Sequence, residues 1–406
     1  MNFKQTTLQA LPSRFLSYGG FFSAVLLMTI YFSTSLAVIA SVIVGLLWLL
    51  SGQFIGLPGL LKRYPVAAWS LLLYGCFMVG SSYGDVADKD AFAMLNKYRE
   101  LFFIPVLIPF FTTERYRNWA WNGLIVASVV ILLISYLMDF GVLALNGNGD
   151  ACLKSRITHS LFIAFFAFFC AHRIFDDKRY AKLYLTLLIL CIYNLFFVVE
   201  GRTGQLIAVA LVLLFARQRL TAKWGLVTVL VTAIFLALFV NFSDKAERIT
   251  EGVANTQAYL NPVPEQPEAT ESSMGQRYTF WKYSLKLMAE KPLLGHGTGS
   301  FAKEYQRIAT GEDIITRNPH NEFFMIGVQL GLFGLLTYLG FLGSQYYCAK
   351  KLPAPEKWLA VGILTSLLIT SVFNTPFLDH TEGHWFATLI ALCFAALQKP
   401  PADHVE

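Results

Sequence analysis

The chain has 406 residues, 55% hydrophobic and only 14% charged, with a mean hydropathy of +0.53 and a formal net charge of +6. A water-soluble domain carries about 25% charged residues, so this composition argues against a soluble enzyme and for a membrane protein. The positive balance does not require nucleic acid, because basic residues also orient membrane helices. Six cysteines without any CxxC spacing speak against a disulfide framework or a thiolate metal site.

A spanning helix needs about 20 mostly apolar residues. Runs that qualify, several of them short, lie near 15–33, 35–50, 66–83, 101–112, 119–139, 159–175, 183–199, 205–216, 224–241, 322–346, 358–374 and 384–397. The first follows a polar start and leads straight into the second, so a cleavable signal peptide is not expected. Pro105 and Pro109 interrupt the fourth, which is tolerable where neighbouring helices satisfy the freed carbonyls. The fold class expected is therefore an all-α polytopic integral membrane protein of about twelve transmembrane helices.

Basic residues gather at the N-terminus and in alternate connections, among them Lys62, Arg63, Arg115, Arg117, Lys178, Arg179, Lys350 and Lys351. The positive-inside rule then puts both termini in the cytoplasm. The expected division is 1–241, helices one to nine; 242–321, a long outer loop; 322–398, helices ten to twelve; and 399–406, a cytoplasmic tail. Within the loop, NPVPEQPEATESS at 261–273 reads as an acidic, proline-rich tip. The following QRYTFWKYSLKLMAEKP places Phe280, Tyr283, Leu287 and Met288 along one side of an amphipathic helix lying over the membrane face or over its own bundle.

Four arginines occupy the outer face where arginine is not forced. Arg202 lies in EGRTGQ, a short turn between helices seven and eight whose glycines permit close backbone approach. Arg156 precedes helix six, Arg277 opens the amphipathic helix, and Arg317 precedes helix ten. Taken singly, each is most simply an interfacial anchor. Together, beside one long loop, they point to a converging anion site that suits a diphosphate.

In RNPHNEFF, Asn318 reads as an N-cap and Pro319 as the first helical residue, which puts His320 in the first turn of helix ten. There the helix dipole would keep the imidazole neutral, as a general base requires. The competing account is a histidine that only hydrogen-bonds at the interface. His380, Glu382 and His384, with Asp379 beside them, form a second polar cluster in FLDHTEGHW. It reads as a divalent metal site or, with more weight, as charge pairing of Asp379 with an arginine. HGTGS at 296–300 lacks the P-loop lysine and a preceding strand, and is read as a turn.

GQRYTFWKYSLKLMAEKPLLGHGTGSF followed by RNPHNEFFMIGVQLGLFGLL resembles the signature of the O-antigen ligase and polymerase superfamily. The shared elements are an arginine ahead of an aromatic-rich helix, a glycine-rich turn, and a histidine–asparagine pair opening a membrane helix. The twelve helices and the loop between helices nine and ten resemble O-antigen ligases in particular, with a GT-C-like architecture. The resemblance implies transfer of O-antigen from undecaprenyl diphosphate to lipid A–core, in lipopolysaccharide synthesis, at the periplasmic face of the bacterial inner membrane. It implies no metal and no nucleotide cofactor. It assigns the base to His320 and diphosphate binding to Arg277 and Arg202. Arg156 is added by position, and Asp379, Arg317 and Asn321 are supporting residues. Within the same superfamily, an O-antigen polymerase or a protein O-oligosaccharyltransferase is the alternative. From another class, a polytopic transporter or flippase predicts charges inside the membrane segments and pseudo-symmetric broken helices.

Overall fold

Each of the twelve apolar runs folds as a helix in the computed structural model, which describes residues 3–145, 149–260, 272–309 and 315–397. Most of the acidic tip, residues 261–271, and the tail 399–406 lie outside the described residues. The first half comprises α1 (Phe3–Phe32), α2 (Thr34–Leu50), α3 (Leu57–Arg63), α4 (Pro65–Gly80), α5 (Asp88–Tyr98) and α6 (Glu100–Phe111). It continues with α7 (Glu114–Asp139), α8 (Arg156–Asp176), α9 (Ala181–Tyr193), α10 (Arg202–Arg219) and α11 (Ala222–Phe242). The loop region contributes α12 (Glu247–Leu260), α13 (Ser273–Glu290) and α14 (Phe301–Ile308). The last helices are α15 (Glu322–Ala349), α16 (Ala354–Phe373) and α17 (His380–Phe394). The described residues form no strand.

The chain is thus an all-α polytopic membrane protein. By length and composition seven helices can cross a membrane alone: α1, α7, α8, α9 with its π-helical extension, α11, α15 and α16. Counting α2 with the bent segment Gln53–Arg63 gives eight. The other apolar runs are shorter or flanked by charge. α6 and α17 illustrate why they are stable nonetheless: from Ile104 to Phe111 and from Thr381 to Phe394 they are buried against other helices instead of lipid. α11 is the opposite case, with Phe239 as its one buried residue.

The loop region packs on its own bundle. Phe280, Tyr283 and Leu287 of α13 are buried against α14 and α15, and Met288 is partly buried on the same side. The amphipathic stripe therefore faces protein. Beyond it, the glycine-rich turn does more than reverse the chain. α15 breaks at Gly331 (φ +59°), and the turn fills the break. His296 N donates to the Val328 carbonyl at 2.9 Å and Gly297 N to that of Gln329 at 2.8 Å, while Leu332 N donates to the Pro292 carbonyl at 2.8 Å. Helix and turn exchange the hydrogen bonds each would otherwise lack, which is how a helix interruption survives at membrane depth.

Candidate functional site

The polar residues of interest collect at the ends of helices on one face of the bundle. Arg202 is the first residue of α10, not part of the turn before it. The hairpin is held tightly: a Cβ on Gly201 or Gly204 would run into Ser160 of α8, so the expected close approach is real. Asn194, at the start of the π-helical turn Asn194–Val198, accepts from His159 Nε2 at 3.0 Å and donates to Ser135 Oγ at 2.8 Å. Gln205 Nε2 donates to the Leu195 carbonyl at 3.1 Å. These buried bonds fix where Arg202 stands.

The Arg202 guanidinium donates to the Arg248 carbonyl at 3.2 Å and to Ser273 Oγ at 3.3 Å, which ties it to α12 and α13. Arg277, one turn into α13, touches Met274 Sδ at 3.8 Å. Neither arginine has a carboxylate ion-pair partner among the described residues. Both line one cleft of about 470 Å³ whose other walls are largely apolar, including Phe196, Leu206, Leu236 and Phe373. Burial, and then the positive charge of Arg202, disfavour the charged form of Arg277. A guanidinium cannot relieve this by losing its proton, so an anion in the cleft would stabilise the pair.

His320 faces a second cavity of about 770 Å³, shared with Lys97, Arg317, Asn374, Asp379 and Glu382. Its helical placement needs correction. Asn321, not Asn318, caps α15, its Oδ1 accepting from Phe324 N at 3.1 Å, and His320 stands just outside the helix at φ +51°. It is the one non-glycine residue with positive φ among the described residues. Asn318 instead builds the loop: its Oδ1 accepts from His320 N at 2.8 Å and from Thr375 Oγ1 at 3.0 Å. The imidazole still favours its neutral form, but the cause is burial and then the charge of Arg277, opposed by the hydrogen bond with Asn374. Holding a bulky residue at positive φ costs on the order of 1–3 kcal/mol, and such strain clusters at functional sites.

The remaining expected residues fall out as follows. Asn321 is a structural cap whose Nδ2 donates to the Val372 carbonyl at 2.9 Å. Asp379 caps α17, accepting from Thr381 N at 2.8 Å and Glu382 N at 3.2 Å; its charge acts on Lys154, and it makes no ion pair with an arginine among the described residues. Arg156 pairs with Asp150 at 3.2 Å and lines a separate small cavity with Glu200 and Lys245, yet its charge still reaches Arg202.

The metal reading of the last outer turn changes its members. Glu382 turns away from the two histidines, and Glu100 of α6 takes its place: His380 Nδ1 lies 2.7 Å and His384 Nδ1 3.2 Å from Glu100 Oε1. His384 Nδ1 also lies 2.7 Å from the His380 carbonyl, and a carbonyl only accepts, so that nitrogen carries a proton. The group is better described as a buried carboxylate paired with histidines. A second trio, Glu290, His296 and Glu304, is bound by Arg307, whose guanidinium bonds both carboxylates where a cation would sit.

Sequence reasoning missed one wall residue, Asn374. Asn374 Oδ1 lies 3.4 Å from His320 Nδ1, and Asn374 Nδ2 donates to Glu382 Oε2 at 3.4 Å. Nothing near residue 374 in the sequence marks it, because the partner stands 54 positions away.

With this geometry in place, residues 185–339 match the family model described as O-antigen ligase. The match spans Arg202, Arg277 and His320, and stops short of Arg156 and Asp379. A comparison with curated proteins finds no match. Residues 185–339 thus carry the signature of the O-antigen ligase/polymerase superfamily.

Proposed function

We propose that this chain is an O-antigen ligase, moving a glycan from undecaprenyl diphosphate to a hydroxyl of lipid A–core on the periplasmic face of the inner membrane. The observation that carries the reading is the pairing of two cavities. One is an apolar cleft with two arginines that have no ion pair among the described residues, and the other is a polar cavity holding a neutral histidine. Arg277 links them, since it lines the first and its charge is felt by His320 in the second. A diphosphate on an isoprenoid chain matches the first by charge and by hydrophobicity. A sugar hydroxyl matches the second.

In the reaction, the acceptor oxygen attacks the anomeric carbon while its proton passes to His320. The bond from that carbon to the diphosphate oxygen breaks, and the electron pair leaves with undecaprenyl diphosphate, inverting the centre. Arg202 and Arg277 stabilise the charge that grows on the leaving group. General-base help is commonly worth about 10²–10⁴-fold.

The test is transfer from undecaprenyl-diphosphate-linked O-antigen to purified lipid A–core, with EDTA present, by wild type and His320→Ala. Product from wild type and a loss of about 10²-fold or more in a folded variant support the reading. Transfer to a growing glycan in place of lipid A–core would reassign the chain as a polymerase. Unchanged transfer by His320→Ala would remove the base.

A further inference from the structure

Behind His320 stand an amide and a carboxyl group that the reaction above does not use. Asn374 ends α16, Glu382 lies in the first turn of α17, and Thr158 lies in the first turn of α8. Thr158 Oγ1 donates to Glu382 Oε1 at 3.0 Å, and Asn374 Nδ2 donates to Glu382 Oε2 at 3.4 Å. Glu382 is 1% exposed and has no ion-pair partner among the described residues. Burial and then the charge of Asp379 push its pKa up to about 8, so it is held as a neutral acid at neutral pH, and packing alone does not call for such a group.

The hydrogen-bond geometry then orders the line. Asn374 turns its NH2 to Glu382 Oε2, which accepts whether the acid is charged or carries its proton on the other oxygen. The amide oxygen is thereby left facing His320 Nδ1 at 3.4 Å. That oxygen only accepts, so Nδ1 must bear the ring proton, and Nε2 keeps its lone pair. We infer that Asn374 is a positioning residue for the base, held in one orientation by Glu382 so that His320 is kept in the Nδ1–H tautomer with Nε2 free to take the acceptor proton. The assignment rests on His320 being the base.

The polar environment of the imidazole is otherwise cationic on one side and mixed on the other. Arg277 approaches from α13 and Arg317 from the preceding loop. Lys97 and Asp90 of α5, and Asp379 with Glu382 of α17, line the same cavity. Lys303 of α14 lines it too, and is paired with Asp85 at 2.9 Å. Adding a charge at 374 therefore alters the field at His320 without touching its other neighbours.

The experiment is the pH profile of kcat/KM for transfer by the full-length protein in lipid nanodiscs, for wild type, Asn374→Asp, Glu382→Gln and Asn374→Ala, with His320→Ala as control. The base acts unprotonated, so activity rises with pH through its pKa. Asn374→Asp brings negative charge to Nδ1, stabilises the imidazolium and moves the acid limb to higher pH by about one pH unit. With its pKa pushed up to about 8, Glu382 is a neutral acid where the limb lies, and Glu382→Gln leaves the limb in place. Asn374→Ala releases the tautomer and lowers kcat by about 10-fold or more, with KM within about twofold. A purely structural role would lower activity without moving the limb of Asn374→Asp. Limbs that coincide in all variants, with His320→Ala inactive, overturn the role of Asn374 and leave the base standing. A fully active His320→Ala overturns both. Nitrogen NMR of the histidine-labelled wild-type protein, with the His320 signals identified by their loss in His320→Ala, reads the tautomer without altering the line. A proton on Nε2 instead of Nδ1 would overturn the inference even if the other variants failed to fold.

Discussion

Trp281 Nε1 donates to the Pro319 carbonyl at 3.0 Å, so α13 grips the backbone immediately before His320. Arg277 stands four residues earlier on the same helix, hence on the same side one turn away. A single rigid element thus places the cation and the candidate base relative to each other. Trp281→Phe keeps the ring contact with Phe324 (centroids 6.0 Å apart) and removes only the donor. A neutral hydrogen bond contributes about 1 kcal/mol, so kcat/KM should fall about fivefold with thermal stability nearly unchanged. A fall accompanied by comparable loss of folded protein would show that Trp281 holds the fold and not the site.

Arg277→Lys and Arg202→Lys retain charge but lose the planar fork that matches a phosphate through two hydrogen bonds. Hydrogen bonds to charged groups contribute about 1.5–3 kcal/mol, so each variant should bind a lipid diphosphate about 10- to 100-fold more weakly. Binding of undecaprenyl diphosphate measured in nanodiscs checks this. Arg156→Lys should matter less, because its guanidinium already has Asp150 at 3.2 Å.

The pH dependence of transfer follows from what surrounds His320. Burial and the charge of Arg277 hold its pKa below the ordinary imidazole value, so the base remains unprotonated into mildly acidic conditions. Activity should persist below the ordinary histidine range of about 6.5 and fall only as pH drops through the depressed pKa. In Arg277→Gln the repelling charge is gone and the pKa rises, so the acid limb moves to higher pH. A limb that moved down, or stayed, would break the link between these two residues.

Gly331→Ala tests the interrupted helix. At φ +59° an added Cβ would lie 2.5 Å from the Leu293 carbonyl carbon, with backbone that cannot yield. Strain of this kind costs on the order of 1–3 kcal/mol before the clash is counted. The variant should unfold at lower temperature and lose the turn that carries His296. Gly343→Ala, further along α15 with nothing within 4 Å of its Cβ, is the matched control and should be neutral or mildly stabilising.

Much of this protein is legible in one dimension because its governing forces are local. Apolar runs of near-membrane length must be helical, since lipid leaves their backbone no other partner, and all twelve runs are. The amphipathic face of α13 and the close packing around EGRTGQ follow from side-chain periodicity and from the space glycine leaves. What tertiary structure decided is where long-range partners meet. The cap of α15 moved to Asn321 because Asn318 is drawn off to Thr375, on a distant loop. Glu100 displaced Glu382 beside His380 because α6 packs against α17, a contact no spacing rule contains. Asn374 reaches His320 across 54 residues for the same reason. Sequence alone marked the residue types that bind and accept protons; only the packing of separate helix ends settled which of them share a cavity, because hydrogen-bond and Coulomb energies depend on distances the chain order does not set.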